Sequence, residues 1–392
     1  MSRLLRTIFA IASLALTCAR ADTVLVLPFF NVSNSASLDW IGESIAETIR
    51  ESLVAQGVLA LDREDRQEGF RRLSVRPYAL LTLASVVKVA EALDAGQVMF
   101  GQYSLTPATG SKGSLQITSR IIDLKKIKQG QQFSETGALE DLASLETHLA
   151  WQAVVAFAPK TAPPEDAFRK SRPAIRVDAI ESYVRGLMAV SPEQKHRFFT
   201  QAVRLDERFS QPSFQLGRML TDKKDYRVAA GWLEHVDRTD SHYLEAQFLL
   251  GICKYNTGDF AGAESAFRLV SASVPLNEVF NNLGAAQSRQ NEPETLENFS
   301  KALEGDSADP DYHFNLGYAL WKRGRIDDAA TSFRAALARK PSDTEATIML
   351  GRCLIKSAPR PGDPRSDGLE RLKLNFEETA YRQLKAELGV KE

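Results

Sequence analysis

The chain has 392 residues, which suggests two or three domains, and 44% hydrophobic with 25% charged residues is typical of a packed protein, not a disordered one. The 49 basic and 50 acidic residues nearly cancel, leaving a net charge of -1. This balance argues against a nucleic-acid partner held by phosphate neutralisation, and it gives no general attraction to anionic membranes.

Residues 1–21 have the pattern of an export signal. Two arginines precede an apolar run at 8–16, and small residues lead to a cleavage site expected between Ala21 and Asp22. The run is too short to cross about 30 Å of hydrocarbon as a stable helix. The expected product is a periplasmic or secreted chain without a membrane span. A lipoprotein anchored at Cys18, with a poorly matching lipobox, and an uncleaved anchor remain alternatives.

Residues 22–158 show no repeat, and their hydrophobic patterns predict an α/β domain. Strands are predicted at 24–30, 58–61, 97–104 and 114–123 and around Phe133, and helices at 38–56, 80–94 and 139–157. This order indicates a layered sheet of mixed strand direction. Four prolines then mark residues 159–175 as a semi-rigid linker.

Four short motifs make this domain resemble the TolB N-terminal type of domain, which also occurs in curli-secretion and flagellar outer-membrane assembly families. The motifs are Val26-Leu27-Pro28-Phe29, Trp40-Ile41-Gly42-Glu43, Phe100-Gly101-Gln102-Tyr103-Ser104 and Ile121-Ile122-Asp123-Leu124. The resemblance implies a domain that contacts partners or helps to build envelope assemblies, without catalytic apparatus. Homo-oligomerisation through this domain stays open.

A Leu-Gly pair recurs along the second half of the chain at intervals of 33 or 34 residues. The glycines are Gly217, Gly251, Gly284, Gly317 and Gly351. In the unit around Gly317, Ala329 is the second small residue at which two antiparallel helices approach, and Phe333 fills the gap towards the next pair. Gly324 permits the chain reversal and Pro341 ends the second helix.

This pattern resembles the tetratricopeptide repeat (TPR) family, whose period is 34 residues. A shortened unit around Gly186 is expected to be a degenerate end repeat, and a helix from about Gly368 to Leu388 is expected to cap the stack. The predicted fold class is therefore an α+β multidomain protein. An α/β mixed-sheet domain of the TolB N-terminal type is followed by an all-α TPR solenoid over residues 176–392.

The resemblance implies a concave groove lined by the first helix of each pair, with side chains at fixed offsets from the repeat glycine pointing into it. The candidate binding residues are Arg218, Tyr255, Asn256, Asn282, Arg289, Phe314, Asn315, Tyr318, Trp321, Lys322, Arg352 and Lys356, and the same offsets select Phe248 and Asn281. Amide side chains both donate to and accept from a peptide backbone. The basic side chains favour an acidic segment or a free C-terminus.

No motif for metal, nucleophile or phosphate chemistry appears in the sequence. The five histidines lack zinc-site spacing, and HExxH, CxxC, GxSxG and GxxxxGK[ST] are absent. Cys253 and Cys353 each follow a repeat glycine by two residues, so we expect buried, inert thiols. We therefore expect no catalytic residue, no metal and no cofactor. The alternative, an enzyme or small-ligand protein, would need a polar pocket between the domains with clustered ionisable groups of strongly shifted pKa.

The function predicted from these patterns is that of a non-enzymatic exported adaptor. It would bind a protein or peptide in the concave groove during envelope assembly. The alternative is an oligomeric structural component of an envelope complex, assembled through the N-terminal domain.

Overall fold

A computed structural model of the chain describes residues 23–33, 35–108, 111–126, 128–172, 174–360, 363 and 366–388. The predicted signal peptide, its Ala21–Asp22 cleavage site and the lipoprotein alternative at Cys18 lie outside the described residues. None of the helices within the described ranges combines the length and apolar character that crossing a bilayer requires.

The N-terminal region is a five-stranded mixed sheet. Its strands are β1 (Val24–Val26), β2 (Phe30–Asn31), β3 (Gln97–Ala108), β4 (Ser111–Asp123) and β5 (Lys128–Ala138). They lie in the order β1-β3-β4-β5, with β2 also pairing with β3. β1 and β2 run parallel to β3, whereas β3, β4 and β5 form an antiparallel meander. The predicted mixed strand direction is confirmed.

Helices cover both faces of this sheet. They are α1 (Trp40–Ala55), α2 (Arg63–Arg72), α3 (Leu83–Ala92) and α4 (Leu142–Phe157). Alternation along β4 sends Leu115 and Ile117 towards α1 and α4, while Ile122 faces α2 and α3. Helix α2 was not predicted, because Phe70 is its one large apolar residue and no period can be read. The strand expected at 58–61 is reduced to a single bridge between Val24 and Ala60.

The proline-rich segment predicted as a semi-rigid linker is docked on the protein. It contains the short helix α5 (Glu165–Lys170), whose Phe168 is buried in the same apolar cluster as the N-terminal core. The Trp151 indole N–H donates to the carbonyl oxygen of Pro163 at 3.0 Å, which fixes the segment against α4. Burial of an aromatic ring overrides the extended preference of the flanking prolines.

The rest of the chain is built from antiparallel helix pairs. The helices are α6 (Val177–Met188), α7 (Pro192–Leu205), α8 (Gln211–Asp222), α9 (Tyr226–Leu233), α10 (Tyr243–Asn256), α11 (Phe260–Ser273), α12 (Asn277–Gln290), α13 (Thr295–Gly305), α14 (Pro310–Lys322), α15 (Ile326–Arg339) and α16 (Thr344–Leu354). A Cβ atom added at Gly251 would stand 2.6 Å from the ring of Phe267, so the repeat glycine is where paired helices touch. At Gly351 such an atom meets nothing within 4 Å.

The prediction of a capping helix from about Gly368 to Leu388 is wrong over its first half. Helix α17 begins only at Glu378 and ends at Leu388. Residues 366–376, the tail segment, run without helix along the inner curve of the repeats. A helix would use its backbone N–H and C=O groups internally, whereas here side chains of α12 and α14 bind those groups directly.

Candidate functional site

The inner curve of the later repeats carries three fully buried asparagines. Asn281 and Asn282 lie on α12, and Asn315 lies on α14, two residues before its repeat glycine as Asn282 is before its own. The side-chain amide of Asn315 donates to the side-chain oxygen of Asn281 at 2.7 Å, which orients both groups. Buried amides require partners for every donor and acceptor, so this row specifies what lies against it.

The partner of this asparagine row is the backbone of the tail segment. Asn315 accepts from the N–H of Arg371 at 2.8 Å and donates to its carbonyl oxygen at 2.7 Å. Asn282 makes the same pair of bonds with Lys373, at 2.8 and 2.7 Å. Asn281 adds a bond to the carbonyl oxygen of Arg371 at 2.8 Å. The groove therefore binds every second residue of a chain through atoms that all amino acids except proline share.

Arg371 and Lys373 point to the same side of the tail segment, as side chains two residues apart do in an extended chain. They meet the acidic wall, which consists of Asp309, Asp311, Asp343 and Glu345. The Arg371 guanidinium makes a forked contact with Asp343 at 2.5 and 2.8 Å. The Lys373 ammonium lies 2.6 Å from Asp309 and 2.8 Å from Asp311.

Two carboxylates of the acidic wall, Asp343 and Asp311, are held ionised by these contacts. Hydrogen bonds from Arg371 lower the pKa of Asp343 to about 2. Burial opposes ionisation of Asp311, but hydrogen bonds from Lys373 and Arg371 outweigh it and lower the pKa of that carboxyl. Arg371 also lies over the ring of Phe314, 3.6 Å from its centroid, so its planar face is covered by an aromatic surface.

Glu370 occupies a pocket of the opposite charge, and its side chain is fully buried. One carboxylate oxygen accepts from the Ser288 hydroxyl at 2.6 Å and lies 3.6 Å from the Lys322 ammonium. The other lies 3.4 Å from the Tyr255 hydroxyl and 3.8 Å from the Arg289 guanidinium. These four residues, the cationic pocket, accept a single carboxylate.

The two ends of the tail segment are held as well. The Tyr318 hydroxyl donates to the carbonyl oxygen of Ser366 at 2.8 Å. At the other end, the ring of Phe376 packs against Phe248 and Tyr381, with centroids 5.1 and 4.4 Å apart. Polar contacts thus fix the middle of the tail segment, and aromatic contacts fix its C-terminal end.

Four predicted groove residues bind partners other than the tail segment. Arg218 is exposed over Phe214, and Asn256 donates to the carbonyl of its own helix at Ile252. Lys356 pairs with exposed Asp327, and Arg352 lies 3.8 Å from Asp363. The indole N–H of Trp321 donates to Ser357 at 2.8 Å, which orders the chain just after α16. Arg352, Lys356 and Trp321 thus surround the exit of α16, outside the row that binds the tail.

Sequence reasoning missed the acidic wall, and it assigned the groove a preference for acidic partners that holds only for Glu370. The missed carboxylates lie at or near helix starts, outside the offsets used. Asp309 and Asp343 are the N-caps of α14 and α16, each accepting from a backbone N–H of its helix. An N-cap aspartate before α14 and another before α16 were therefore the available signal.

Beyond the tail segment, α17 connects the groove to the N-terminal domain. The Arg382 guanidinium pairs with Asp62 and, at 3.0 Å, with Asp65, both at the start of α2. The Lys385 ammonium donates to the carbonyl oxygen of Ser241, between α9 and α10. The chain's C-terminal part thus bridges both regions of the molecule.

A cavity of about 780 Å³ is lined by residues of α1, α4, α5 and the first repeats, beside the apolar contact of α1 with α6. It contains the buried carboxyl of Glu146, which accepts from the Thr48 hydroxyl at 3.2 Å. Burial raises the pKa of Glu146 to about 8, and it also raises the pKa of nearby Glu51. Desolvation between two packed regions explains both shifts. Within the described ranges no cluster of three metal-ligating side chains occurs.

Residues 296–357 match the sequence profile of the tetratricopeptide repeat family, so this part of the chain, from α13 to just past α16, is of the TPR type. No curated protein shows significant similarity to the chain.

Among solved structures, MamA from Desulfovibrio magneticus RS-1 is 22% identical over 41% of this chain and 92% of its own, with a TM-score of 0.37. YrrB, described as a TPR protein with an unusual peptide-binding site, is 18% identical over 49% of this chain and 92% of its own, with a TM-score of 0.35.

Proposed function

We propose that this protein is a non-enzymatic adaptor that binds an extended segment of a partner protein in the groove between α10 and α16. The proposal rests on one observation. Asn282 and Asn315 each make a paired donor–acceptor contact with an extended backbone. Such contacts recognise any polypeptide, because the ligand atom in each bond is a backbone N–H or C=O and not a side-chain atom.

The groove also has the surface of a binding site. Phe314 and Tyr318 are fully buried beside the tail and supply aromatic area, which contributes strongly to protein interfaces. The tail segment that fills it is joined to α16 through a connection that lacks helix at 357–360. Displacement of that segment would expose a complete peptide site without rearranging the repeats.

A peptide-display selection tests this function. The bait is the full chain carrying Arg371→Glu and Lys373→Glu, which places like charges against the acidic wall and so expels the tail. We expect peptides that bind this bait and lose binding when Asn282→Ala and Asn315→Ala are added. Circular dichroism checks that each bait stays helical. Failure to select any peptide that depends on the two asparagines would remove the adaptor function.

We also propose that the adaptor acts outside the cytoplasm, in envelope assembly, with an N-terminal domain of the TolB N-terminal type. The basic and apolar start of the sequence supports export, and the mixed sheet with covering helices supports the domain type. Expression in a bacterial host followed by N-terminal sequencing is expected to give Asp22 as the first residue. Recovery of the intact N-terminus, or of lipid on Cys18, contradicts that expectation.

The second candidate function, an oligomeric structural component, is favoured by one feature. Strand β5 lies at the edge of the described sheet, and residues 130–132, in its first half, are exposed. An unpaired edge can pair with the same edge of a second copy. Light scattering of the full chain, with and without Gln132→Pro to block edge pairing, separates the candidates. A strict monomer in both cases disfavours the structural component.

A further inference from the structure

We propose that the partner presents an extended segment with the charge order of the tail, and that it enters the groove by displacing the tail. The order is a carboxylate, a guanidinium, an apolar residue and a cation, as in Glu370-Arg371-Leu372-Lys373, with an aromatic ring three residues later. This inference rests on the proposed adaptor function and deepens it by specifying the ligand.

The groove contacts side chains on two opposite sides of the bound segment. Glu370 enters the cationic pocket, while Arg371 and Lys373 meet the acidic wall. A shift of one residue in one direction would place Arg371 beside Lys322, and a shift in the other direction would place Glu370 against the acidic wall. Both placements are repulsive, so the asparagine row supplies general backbone binding and the charges fix the register.

The contacts of Arg371 and Lys373 with the acidic wall are specific in geometry as well as in the sign of the charge. Arg371 uses a fork against Asp343, a further contact with Glu345 and a ring face on Phe314. A lysine at this position would lose the fork and the stacking. Lys373 instead places one ammonium between Asp309 and Asp311, where a compact charge suffices.

A partner must compete with the tail segment for the groove. The tail segment is covalently attached, so its local concentration at the groove is on the order of millimolar, as for short flexible linkers. A free partner with the same contacts must therefore compete with an occupant that is always present. A tail weakened at its own charges should open the groove to partners without altering any groove residue.

Displacement also has a structural consequence at the other region. The tail leads directly into α17, whose Arg382 pairs with Asp62 and Asp65 of the N-terminal domain. Phe376 and Tyr381 leave the apolar cluster around Phe248 when the tail leaves. Partner binding is thus transmitted to α2.

Fluorescence anisotropy tests this with a labelled peptide that copies residues 366–377. The full chain carrying Arg371→Ala and Lys373→Ala is expected to bind it at least tenfold more tightly than the wild type. A peptide with Glu370→Arg, Arg371→Glu and Lys373→Glu is expected to bind at least a hundredfold more weakly than the copy. Equal binding of the two peptides would overturn the charge order.

A double-mutant comparison assigns the effect to the wall. Asp311→Asn in the tail-weakened chain is expected to weaken binding of the copied peptide about tenfold and to leave binding of its Arg371→Ala, Lys373→Ala form unchanged. Asp311 is suited to this because it is not the cap of α14. Asp327→Asn, an exposed site on α15 with the same charge change, is the control and is expected to have no effect.

Hydrogen exchange of the wild-type chain tests displacement of the tail without any substitution. Saturating copied peptide is expected to speed hydrogen exchange of residues 366–377 and of the first turn of α2. Unchanged exchange at saturating peptide would overturn displacement. If display selection yields asparagine-dependent peptides of another charge order, the charge inference fails while the adaptor function stands. If selection yields none, the adaptor function itself fails.

Discussion

The inner curve of the repeats is filled in two different ways along its length. At the first repeats it faces α1, and Ile41 and Ile45 of α1 share one apolar cluster with Ile180 and Tyr183 of α6. At the later repeats it faces the tail segment, which is held by asparagine contacts and ion pairs with partly exposed carboxylates. The first filling is a continuous core and the second is a bound peptide.

This difference predicts which part of the inner curve can open. Separating α1 from α6 exposes apolar surface, and burying such surface contributes about 25 cal/mol per Å². Releasing residues 370–373 exposes mostly backbone and charges that water solvates well, so the net loss per neutral hydrogen bond is only about 1 kcal/mol. We therefore expect the N-terminal domain to stay docked while the tail exchanges.

The largest expected effect contrasts two phenylalanines, one in each filling. Phe168→Ala removes a buried ring from the shared core, and we expect a loss of about 3 kcal/mol in the free energy of unfolding. Phe376→Ala, in the tail, should cost clearly less because its ring is partly exposed. Urea unfolding followed by circular dichroism measures both. Equal losses would erase the distinction between core and bound peptide.

The second prediction tests the docked side through pH. The pKa of Glu146 is about 8 in the folded chain, raised from 4.5 by burial, so the folded state retains a proton that the unfolded state has lost between these values. Stability from this group is complete below pH 4.5 and declines as pH rises to 8. Glu146→Gln removes the decline, by about 1.4 kcal/mol per pH unit at most.

Urea unfolding of wild type and Glu146→Gln at pH 5, 6.5 and 8 provides the measurement. The variant should gain on the wild type as pH rises. A constant difference between the two chains would mean that the carboxyl is solvated, and hence that α1 and α4 are not closely packed against the repeats.

The third prediction concerns the tail alone. Asn282→Ala with Asn315→Ala removes four backbone bonds, and we expect exchange of the Arg371 and Lys373 amides to increase at least tenfold. Asn256→Ala is the matched control, since that amide bonds only to its own helix. Hydrogen exchange with mass spectrometry measures both variants. Faster exchange in α1 as well would show that the tail contact and the α1 contact are coupled.

The smallest expected effect lies at the bridge between the regions. Arg382→Ala breaks half-exposed ion pairs with Asp62 and Asp65, and surface pairs of this kind contribute about 0.2–1 kcal/mol each. Stability should hardly change, whereas proteolysis near α17 should speed up. Arg268→Ala, another exposed pair within one helix, should change neither.

Much of the fold was predictable because its signals are local. The spacing of the repeat glycines located the helix pairs, and Gly186 with Phe199 located even the shortened first pair. Cys253 and Cys353 are buried, as their repeat offset predicted, and burial raises the pKa of both thiols. Helix α2 escaped prediction because ten mostly charged residues carry no apolar period.

The sequence by itself determined the repeat, the inward row of Asn281, Asn282 and Asn315, and the mixed sheet, because spacing and alternation along the chain encode these features. Only the tertiary structure decided what fills the curve. The bonds from Asn282 and Asn315 to the tail join residues 56 to 91 positions apart. No local pattern records such pairings. The sequence therefore predicted a helix from about Gly368, whereas residues 366–376 are not helical and bind the groove through their backbone.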